Sequence, residues 1–267
     1  MLEQARDYRD ECVALDQLLR GLPEAEWSAP TQFKGWTADD IVGHLHIFDH
    51  AAWLTLDGRE PLKAFFAEMQ AGRSERWTLR DFTRQWLGGC RGHALRQRWI
   101  EYAAGLETRY RQEDPARRVA WGGPDMSARS CISARQMETW SHGQALFDLM
   151  GVERVEHDRL RNVAVIGINT FGWTFANRGL PVPAVKPYVE LVAPSGKRWQ
   201  WHDPASPARI EGSAVEFCRV VAQTRNVADT GLRATGEVAT SWLSIAQCFA
   251  GPPQEPPAPG TRFRQVR

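Results

Sequence analysis

Apolar side chains recur at spacings of three and four through most of the first 150 residues, and this periodicity constrains the fold more than any other feature. The first repeat runs from Leu2 to Leu19 and ends before Pro23. Thr37 and Thr78 each precede an aspartate by three residues, which is the pattern of a capping box at a helix start. The expected helical segments cover about 2–19, 37–56, 61–70, 78–111 and 133–150.

The four long segments among these predict a four-helix bundle. Gly88 and Gly89 form a weak point inside the segment that starts at Thr78, because glycine lowers helix propensity. Ser133, followed three residues later by a glutamine, predicts a capping box for the last helix of the bundle. Gly151 predicts the end of that helix.

The sequence changes character after residue 151. A helix is predicted over 157–177, and the alternating segments 188–192 and 198–202 predict a β-hairpin with two tryptophans on one face. Helices are also expected over 213–223 and 239–249, and the proline-rich stretch 251–259 forms either an ordered wrap or a loose end. The predicted fold class is therefore α+β. The predicted domains are a helical bundle over 1–152 and, over 153–267, a linker helix with a smaller α/β domain.

Amino-acid composition excludes several classes of function and of binding partner. The chain carries 33 Lys and Arg against 32 Asp and Glu, a formal net charge of +1, which gives no electrostatic case for nucleic acid or a membrane surface as partner. Twelve tryptophans imply large packed cores or aromatic-walled pockets. The five cysteines are scattered and form neither a disulfide framework nor a thiolate zinc site. Without a secretory signal or a membrane-length apolar stretch, we expect a cytoplasmic location.

A carboxylate and an imidazole lie in the apolar stripe of the last bundle helix. Glu138 and His142 are one turn apart on the face that also carries Ala145 and Leu149. A buried carboxylate must be paired or bound to a metal, and a Glu and a His at this spacing can ligate a single cation. The alternative is a metal-free network in which Arg135 pairs with Glu138.

The second helix adds His44 at the edge of its inward face. His44, Glu138 and His142 would supply three protein ligands and leave a fourth position to water, the arrangement of a catalytic zinc. His46 and His50 also have metal-capable spacing, but they project away from this face. We expect them to form a solvated histidine pair.

Two segments carry a family resemblance. Residues 35–45, GWTADDIVGHL, and residues 134–143, ARQMETWSHG, resemble the DinB-like superfamily of metal-binding four-helix bundles. Within it, the nearest resemblance is to the mycothiol-dependent maleylpyruvate isomerase family, over roughly the first 150 residues. The resemblance implies a zinc or other divalent cation held by His44, Glu138 and His142, and open to water or to a low-molecular-weight thiol such as mycothiol. The region 187–251 looks like the sterol-carrier-like domain that follows the bundle in many relatives.

We therefore expect a metal- and thiol-dependent isomerase or transferase that acts on a small molecule. The alternative is a non-catalytic protein with a structural or vestigial metal, whose tryptophan-rich second domain holds an apolar ligand. Arg219 and Arg225 could hold an anionic substrate, although solvated surface arginines are the more common use of such residues. Cys131 has no paired base in the sequence and is expected to be a small apolar filler.

Overall fold

The structure, a computed structural model, describes residues 1–71 and 78–266. These residues form two compact units, Met1–Leu146 and Phe147–Arg267. The domain limits predicted from the sequence, after residue 152, remain a prediction. In the described residues, no helix is both long enough and apolar enough to cross a membrane.

Among its described residues, the first unit contains six α-helices, the last of which continues past Leu146, and one short hairpin. Their bounds are α1 Glu3–Arg20, α2 Ala38–Asp57, α3 Arg59–Ala71, α4 Leu79–Trp86, α5 Gly92–Arg111, β1 Arg118–Val119, β2 Met126–Ser127 and α6 Ala128–Met150. Helix α5 packs against both α1 and α2. The buried rings of Tyr8, Trp27, Trp99, Tyr110 and Trp140 fill the interior, so these tryptophans belong to the core.

The capping boxes at Thr37 and Thr78 are confirmed, and each starts a helix one residue later. The segment that begins at Thr78 does not form one helix. Gly88 and Gly89 adopt φ values of +61° and +81°, which the α-helix cannot accommodate, so the chain turns between α4 and α5.

The predicted start of the last bundle helix is wrong. Helix α6 begins at Ala128, and Ser127 Oγ accepts a hydrogen bond from Ser130 N at 3.1 Å. Ser133 lies buried within the helix, so its spacing from Gln136 resembles a capping box only in sequence. The predicted end is confirmed, because Gly151 has a φ of +68° immediately after Met150.

The second unit combines short helices with a four-stranded sheet. Its elements are α7 Arg161–Asn169, α8 Phe171–Ala176, β3 Tyr188–Val192, β4 Arg198–Trp201, β5 Arg209–Ser213, α9 Ala214–Val221, β6 Arg233–Thr235 and α10 Glu237–Ile245. The strand order is β4-β3-β5-β6, with β3 and β5 parallel and the other pairs antiparallel. The helical first unit and the α/β second unit confirm the α+β class.

Two predictions for the second unit need correction. The helix expected over 157–177 is interrupted at Thr170, whose hydroxyl donates to the carbonyl oxygens of Ile166 and Gly167. Strands β5 and β6 were not predicted. The predicted hairpin is present, and Leu191 pairs with Trp199 across it.

The proline-rich tail is an ordered wrap. Its carbonyl oxygens at Gln254 and Pro257 accept hydrogen bonds at 2.9 and 2.8 Å from the side-chain amides of Gln223 and Asn226. The core of this unit centres on the buried Trp242, whose ring packs edge-on against two phenylalanines.

Candidate metal centre

Helix α2 places His44 two turns after its capping box. Thr37 Oγ1 accepts a hydrogen bond from Asp40 N at 3.2 Å, and Asp40 Oδ2 accepts one from Thr37 N at 3.1 Å. The residue before His44 is a glycine. A Cβ at Gly43 would lie 3.0 Å from the side chain of Leu87, so glycine allows the α4 region to approach α2 closely. The position of His44 is thus fixed by local sequence and by close packing.

Helix α6 brings the other two predicted residues to His44. Glu138 Oε2 lies 3.2 Å from His44 Nε2 and 3.1 Å from His142 Nε2. One potential ligand atom from each residue falls within 4.8 Å of the other two. In the part of the chain that the structure describes, this is the one group of three or more His, Cys, Asp or Glu side chains close enough to share a cation.

Aromatic rings enclose the two imidazoles. The Trp36 ring stacks on His142 at 5.7 Å between centroids, with 6° between the planes, and contacts His44 edge-on at 5.3 Å. Phe33 packs against His142, and Phe48 packs against His44. The Nδ1 atoms of both histidines are buried and have no hydrogen-bond partner among the described residues. Ring packing, rather than hydrogen bonding at Nδ1, therefore orients these imidazoles.

A tight turn before α2 positions two of these rings, those of Phe33 and Trp36. Thr31 N donates to the carbonyl oxygen of Trp36 at 2.8 Å, and Trp36 N donates to that of Phe33 at 2.9 Å. Lys34 and Gly35 have φ values of +52° and +67° inside this turn. Sequence reasoning did not assign Phe33 and Trp36 to the site. The available signal was a pair of aromatic residues around a glycine, directly before the capping box.

The electrostatics favour a neutral imidazole beside an ionised carboxylate. Burial, and after it the neighbouring His142, lowers the pKa of His44 to about 4. Burial by itself would raise the pKa of Glu138. The hydrogen bonds from His142 and His44 outweigh that effect and hold the pKa well below its usual value. A carboxylate and a neutral imidazole are the protonation states that metal binding requires.

Arg135 does not complete the metal-free network that the sequence offered as an alternative. Its Nε lies 2.9 Å from Asp49 Oδ1, and its Nη2 donates to the carbonyl oxygen of Leu45 at 3.2 Å. Asp49 also accepts a hydrogen bond from the indole of Trp99 at 3.0 Å. Asp49 thus neutralises the arginine and leaves Glu138 to the two histidines. The sequence signal for Asp49 was an acid flanked by Ile47, Phe48, Ala51 and Ala52.

The prediction of a solvated pair at His46 and His50 is wrong. His46 is only 1% exposed, and its ring packs against Trp86 and Tyr102. His50 Nδ1 lies 2.9 Å from the hydroxyl of Tyr102. Helices α4 and α5 supply these rings and cover the face of α2 that was expected to meet solvent. Neither histidine belongs to a three-residue ligand group among the described residues.

Comparison with known proteins places the helical unit in a family. The family described as "Mycothiol maleylpyruvate isomerase N-terminal domain" matches residues 8–147, just over half of the chain. The chain belongs to this family. The matched range contains His44, Glu138 and His142.

Similarity to individual proteins extends beyond the matched range. An uncharacterized protein of Mycobacterium tuberculosis, found in strains CDC 1551 and H37Rv, is 37% identical over 248 residues, covering 92% of this chain and 95% of the relative. The crystal structure of the mycothiol-dependent maleylpyruvate isomerase has a TM-score of 0.57 at 16% identity and covers 87% of this chain and 91% of its own. A histidine-to-alanine mutant of that enzyme has a TM-score of 0.55. These two structures share the fold.

The sequence suggested Arg219 and Arg225 as residues that could bind an anionic substrate. In the structure, neither of them is a fully solvated surface side chain. Arg225 Nη2 lies 2.6 Å from Asp148 Oδ1, and the two side chains are 12% and 5% exposed. Arg219 Nη2 lies 3.7 Å from Glu156 Oε1. Both arginines therefore take part in partly buried ion pairs within the second unit.

Cys131 has the environment of a core residue. It is 1% exposed, and its sulfur accepts a hydrogen bond from the hydroxyl of Tyr110 at 3.1 Å. Burial raises the pKa of its thiol to about 11, so the thiolate form is rare at neutral pH. Cys131 is therefore a poor candidate for a nucleophile.

Proposed function

We propose that this protein is a metal-dependent, thiol-using isomerase or transferase of small molecules, with a divalent cation, most simply Zn²⁺, held by His44, Glu138 and His142. The observation that carries the proposal is the convergence of two imidazole Nε2 atoms on one carboxylate oxygen, at 3.2 and 3.1 Å. Two histidines and a glutamate are a ligand set of catalytic zinc sites. This set leaves one coordination position open.

A zinc ion with an open position lowers the pKa of a thiol or water that binds there. The residues of the chain would prepare that position in two ways. His44, with its lowered pKa, is neutral at pH 7 and ready to bind through Nε2. The rings of Trp36, Phe33 and Phe48 limit the access of water to the imidazoles of His44 and His142. They also restrict the orientations that these two imidazoles can adopt.

Membership of the mycothiol maleylpyruvate isomerase family supports a small thiol such as mycothiol as the co-reactant. In an isomerase of that kind, the thiolate sulfur bonds to one carbon of a conjugated double bond, and the electron pair moves to the conjugated carbonyl oxygen. The remaining carbon–carbon single bond rotates. The carbon–sulfur bond then breaks, the double bond re-forms and the thiolate leaves. In a transferase, the thiolate would displace a leaving group and stay attached to the product.

Elemental analysis tests the metal part of the proposal. Purified wild type and His44→Ala are dialysed against metal-free buffer, with His50→Ala as the matched control from the same helix. We expect about one zinc per chain in the wild type and His50→Ala, and little in His44→Ala. A wild type without metal would contradict the proposal, and equal zinc in His44→Ala would contradict the ligand set.

Cobalt substitution tests the open position and the thiol. The Co²⁺ form is titrated with mycothiol, and the near-ultraviolet absorbance of a thiolate–cobalt bond is followed. A saturable new band supports the thiol-using enzyme, and a methylated, non-ionising thiol analogue should give none. Metal without any thiol response would instead support the alternative of a structural metal in a non-catalytic binding protein.

We also place this activity in the cytoplasm. The five cysteines form no disulfide, and four of them are buried. Free thiols in these numbers fit a reducing compartment.

A further inference from the structure

A pocket of about 480 Å³ lies between α3 and the β1–β2 hairpin of the first unit. Its walls are about equally polar and apolar: Leu62, Phe66 and Trp121 supply apolar surface, and Arg59, Lys63 and Gln70 supply polar surface. Pockets that hold drug-sized ligands enclose about 300–1,000 Å³, and polar groups in their walls fix the orientation of the ligand. We refer to it as the α3 pocket.

The two walls of the α3 pocket are tied together by polar contacts. Arg59 at the start of α3 pairs with Asp125 of the hairpin at 2.6 Å. Arg117 donates to the carbonyl oxygen of Leu56, the penultimate residue of α2, at 3.0 Å. The hydroxyl of Thr55 donates to the carbonyl oxygen of Ala120. One of these contacts joins the hairpin to α3 and the other two join it to the end of α2, so both walls of the pocket are part of the folded unit.

Two half-buried aromatic rings form an open corner in the pocket. The rings of Phe66 and Trp121 are 6.0 Å apart and nearly perpendicular, at 89°. A Cβ at Gly122 would lie 3.3 Å from the Phe66 ring, so the backbone at this glycine presses against that ring. A perpendicular pair leaves ring surface on which a third, flat aromatic group can pack.

The charge around the α3 pocket is positive. Arg59 and Lys63 both line it, and no acidic residue does so among the described residues. Asp125 compensates the charge of Arg59. Lys63 forms no ion pair with any carboxylate in residues 1–71 and 78–266, so no described residue compensates the charge of its ammonium group in the pocket wall. An anionic group is the natural complement to it.

From these features, we infer that the α3 pocket binds a small organic anion with an aromatic body. The aromatic body would pack against Phe66 and Trp121, and its acidic group would face Lys63. None of the residues lining the pocket belongs to the metal centre or to the rings around it. Binding should therefore need neither the metal nor the thiol, which separates this inference from the proposed function.

The test uses 1-anilinonaphthalene-8-sulfonate as the aromatic anion and N-phenyl-1-naphthylamine as its uncharged analogue, with fluorescence titrations of the full chain. We expect one saturable site in the wild type. Lys63→Glu should weaken binding of the anion about fivefold and leave the uncharged analogue unaffected. Trp121→Ala should weaken both probes by about tenfold. The matched controls Lys197→Glu and Trp173→Ala, in the second unit, should stay within about twofold of the wild type.

Circular dichroism and thermal unfolding establish that each variant is folded. Lys63 is exposed, so Lys63→Glu keeps the test informative even where Trp121→Ala fails to fold. Anion binding that is unchanged in both pocket variants would overturn the inference, since the probe would then bind elsewhere. Loss of binding in His44→Ala or after chelation would overturn it too, because the site would then depend on the metal centre.

Discussion

Helix α2 presents histidines on two faces, and the two faces have different surroundings. His44 meets a carboxylate and a second imidazole from α6. His46, two residues later, packs against the rings of Trp86 and Tyr102, and neither of its nitrogens has a hydrogen-bond partner among the described residues. His46 is buried and His44 is largely enclosed, and both have a pKa lowered to about 4, with burial as the largest cause. Burial and neutrality alone therefore do not make a metal ligand.

What separates the two faces is the residue that the neighbouring helix contributes. Glu138 of α6 lies against His44, and Arg135, which could also have paired with Glu138, pairs with Asp49. On the opposite face, α4 and α5 contribute aromatic side chains. A candidate site is thus decided by the helix that packs against the histidine, and not by the spacing within the histidine's own helix.

The largest expected effect comes from removing the carboxylate. Glu138→Ala should reduce the metal content from about one per chain to a small fraction, because the shared oxygen between the two imidazoles is lost. His46→Ala should keep the wild-type metal content. Both are measured by elemental analysis after dialysis. Retained metal in Glu138→Ala, or lost metal in His46→Ala, would break the distinction between the two faces.

The next largest effect is expected on stability, from breaking the ion pair between Arg135 and Asp49. Arg135 and Asp49 are 2% and 0% exposed in their side chains, so Arg135→Met would leave an unpaired buried carboxylate. We expect a loss of about 3–5 kcal/mol in the free energy of unfolding, measured by urea denaturation. The double variant Asp49→Leu with Arg135→Met should recover most of this loss. A single-variant loss below about 1 kcal/mol would contradict the role given to the pair.

Only those features of the site that follow from the periodicity and capping of a single helix could be predicted from the sequence. The start of α2 follows from the capping box of Thr37, and the shared face of Glu138 and His142 follows from their one-turn spacing. The enclosure of His46 could not be predicted in this way. Trp86 and Tyr102 come from two other helices, and their positions depend on the turn at Gly88 and Gly89.

The same limit applies to the sheet of the second unit. Strands β3 and β4 are close in sequence and alternate clearly, so their hairpin could be predicted. Strand β5 pairs in parallel with β3, and its short segment has no local turn to mark it. Strand β6 is exposed at all three residues and shows no apolar alternation. Pairings between distant segments are set by tertiary packing, which periodicity does not encode.

A smaller effect is expected on acid stability. The usual pKa of a histidine is 6.5, and in the folded protein that of His46 is about 4. Between these values, the unfolded chain binds a proton that the folded chain excludes, so stability is full above pH 6.5 and falls toward pH 4. The slope from one such group is about 1.4 kcal/mol per pH unit.

His46→Leu should remove this contribution from the acid limb of the stability curve. The measurement is urea denaturation at several pH values in the presence of a chelator, so that metal release does not contribute. His157→Leu, at an exposed position, is the matched control and should leave the curve unchanged. An acid limb with the same slope in His46→Leu and in the wild type would show that His46 binds a proton as readily in the folded chain as in the unfolded chain.

The smallest effect tests the hydrogen bond on the aromatic face. His50 Nδ1 and the Tyr102 hydroxyl are 2.9 Å apart and partly buried, so Tyr102→Phe should cost about 0.5–1.5 kcal/mol in the free energy of unfolding. In the background of His50→Phe, the same substitution should cost less, since the partner is already absent. Metal content should be unchanged in all three variants. A loss of metal in Tyr102→Phe would mean that the two faces of α2 are coupled, and that the aromatic face contributes to holding His44 in place.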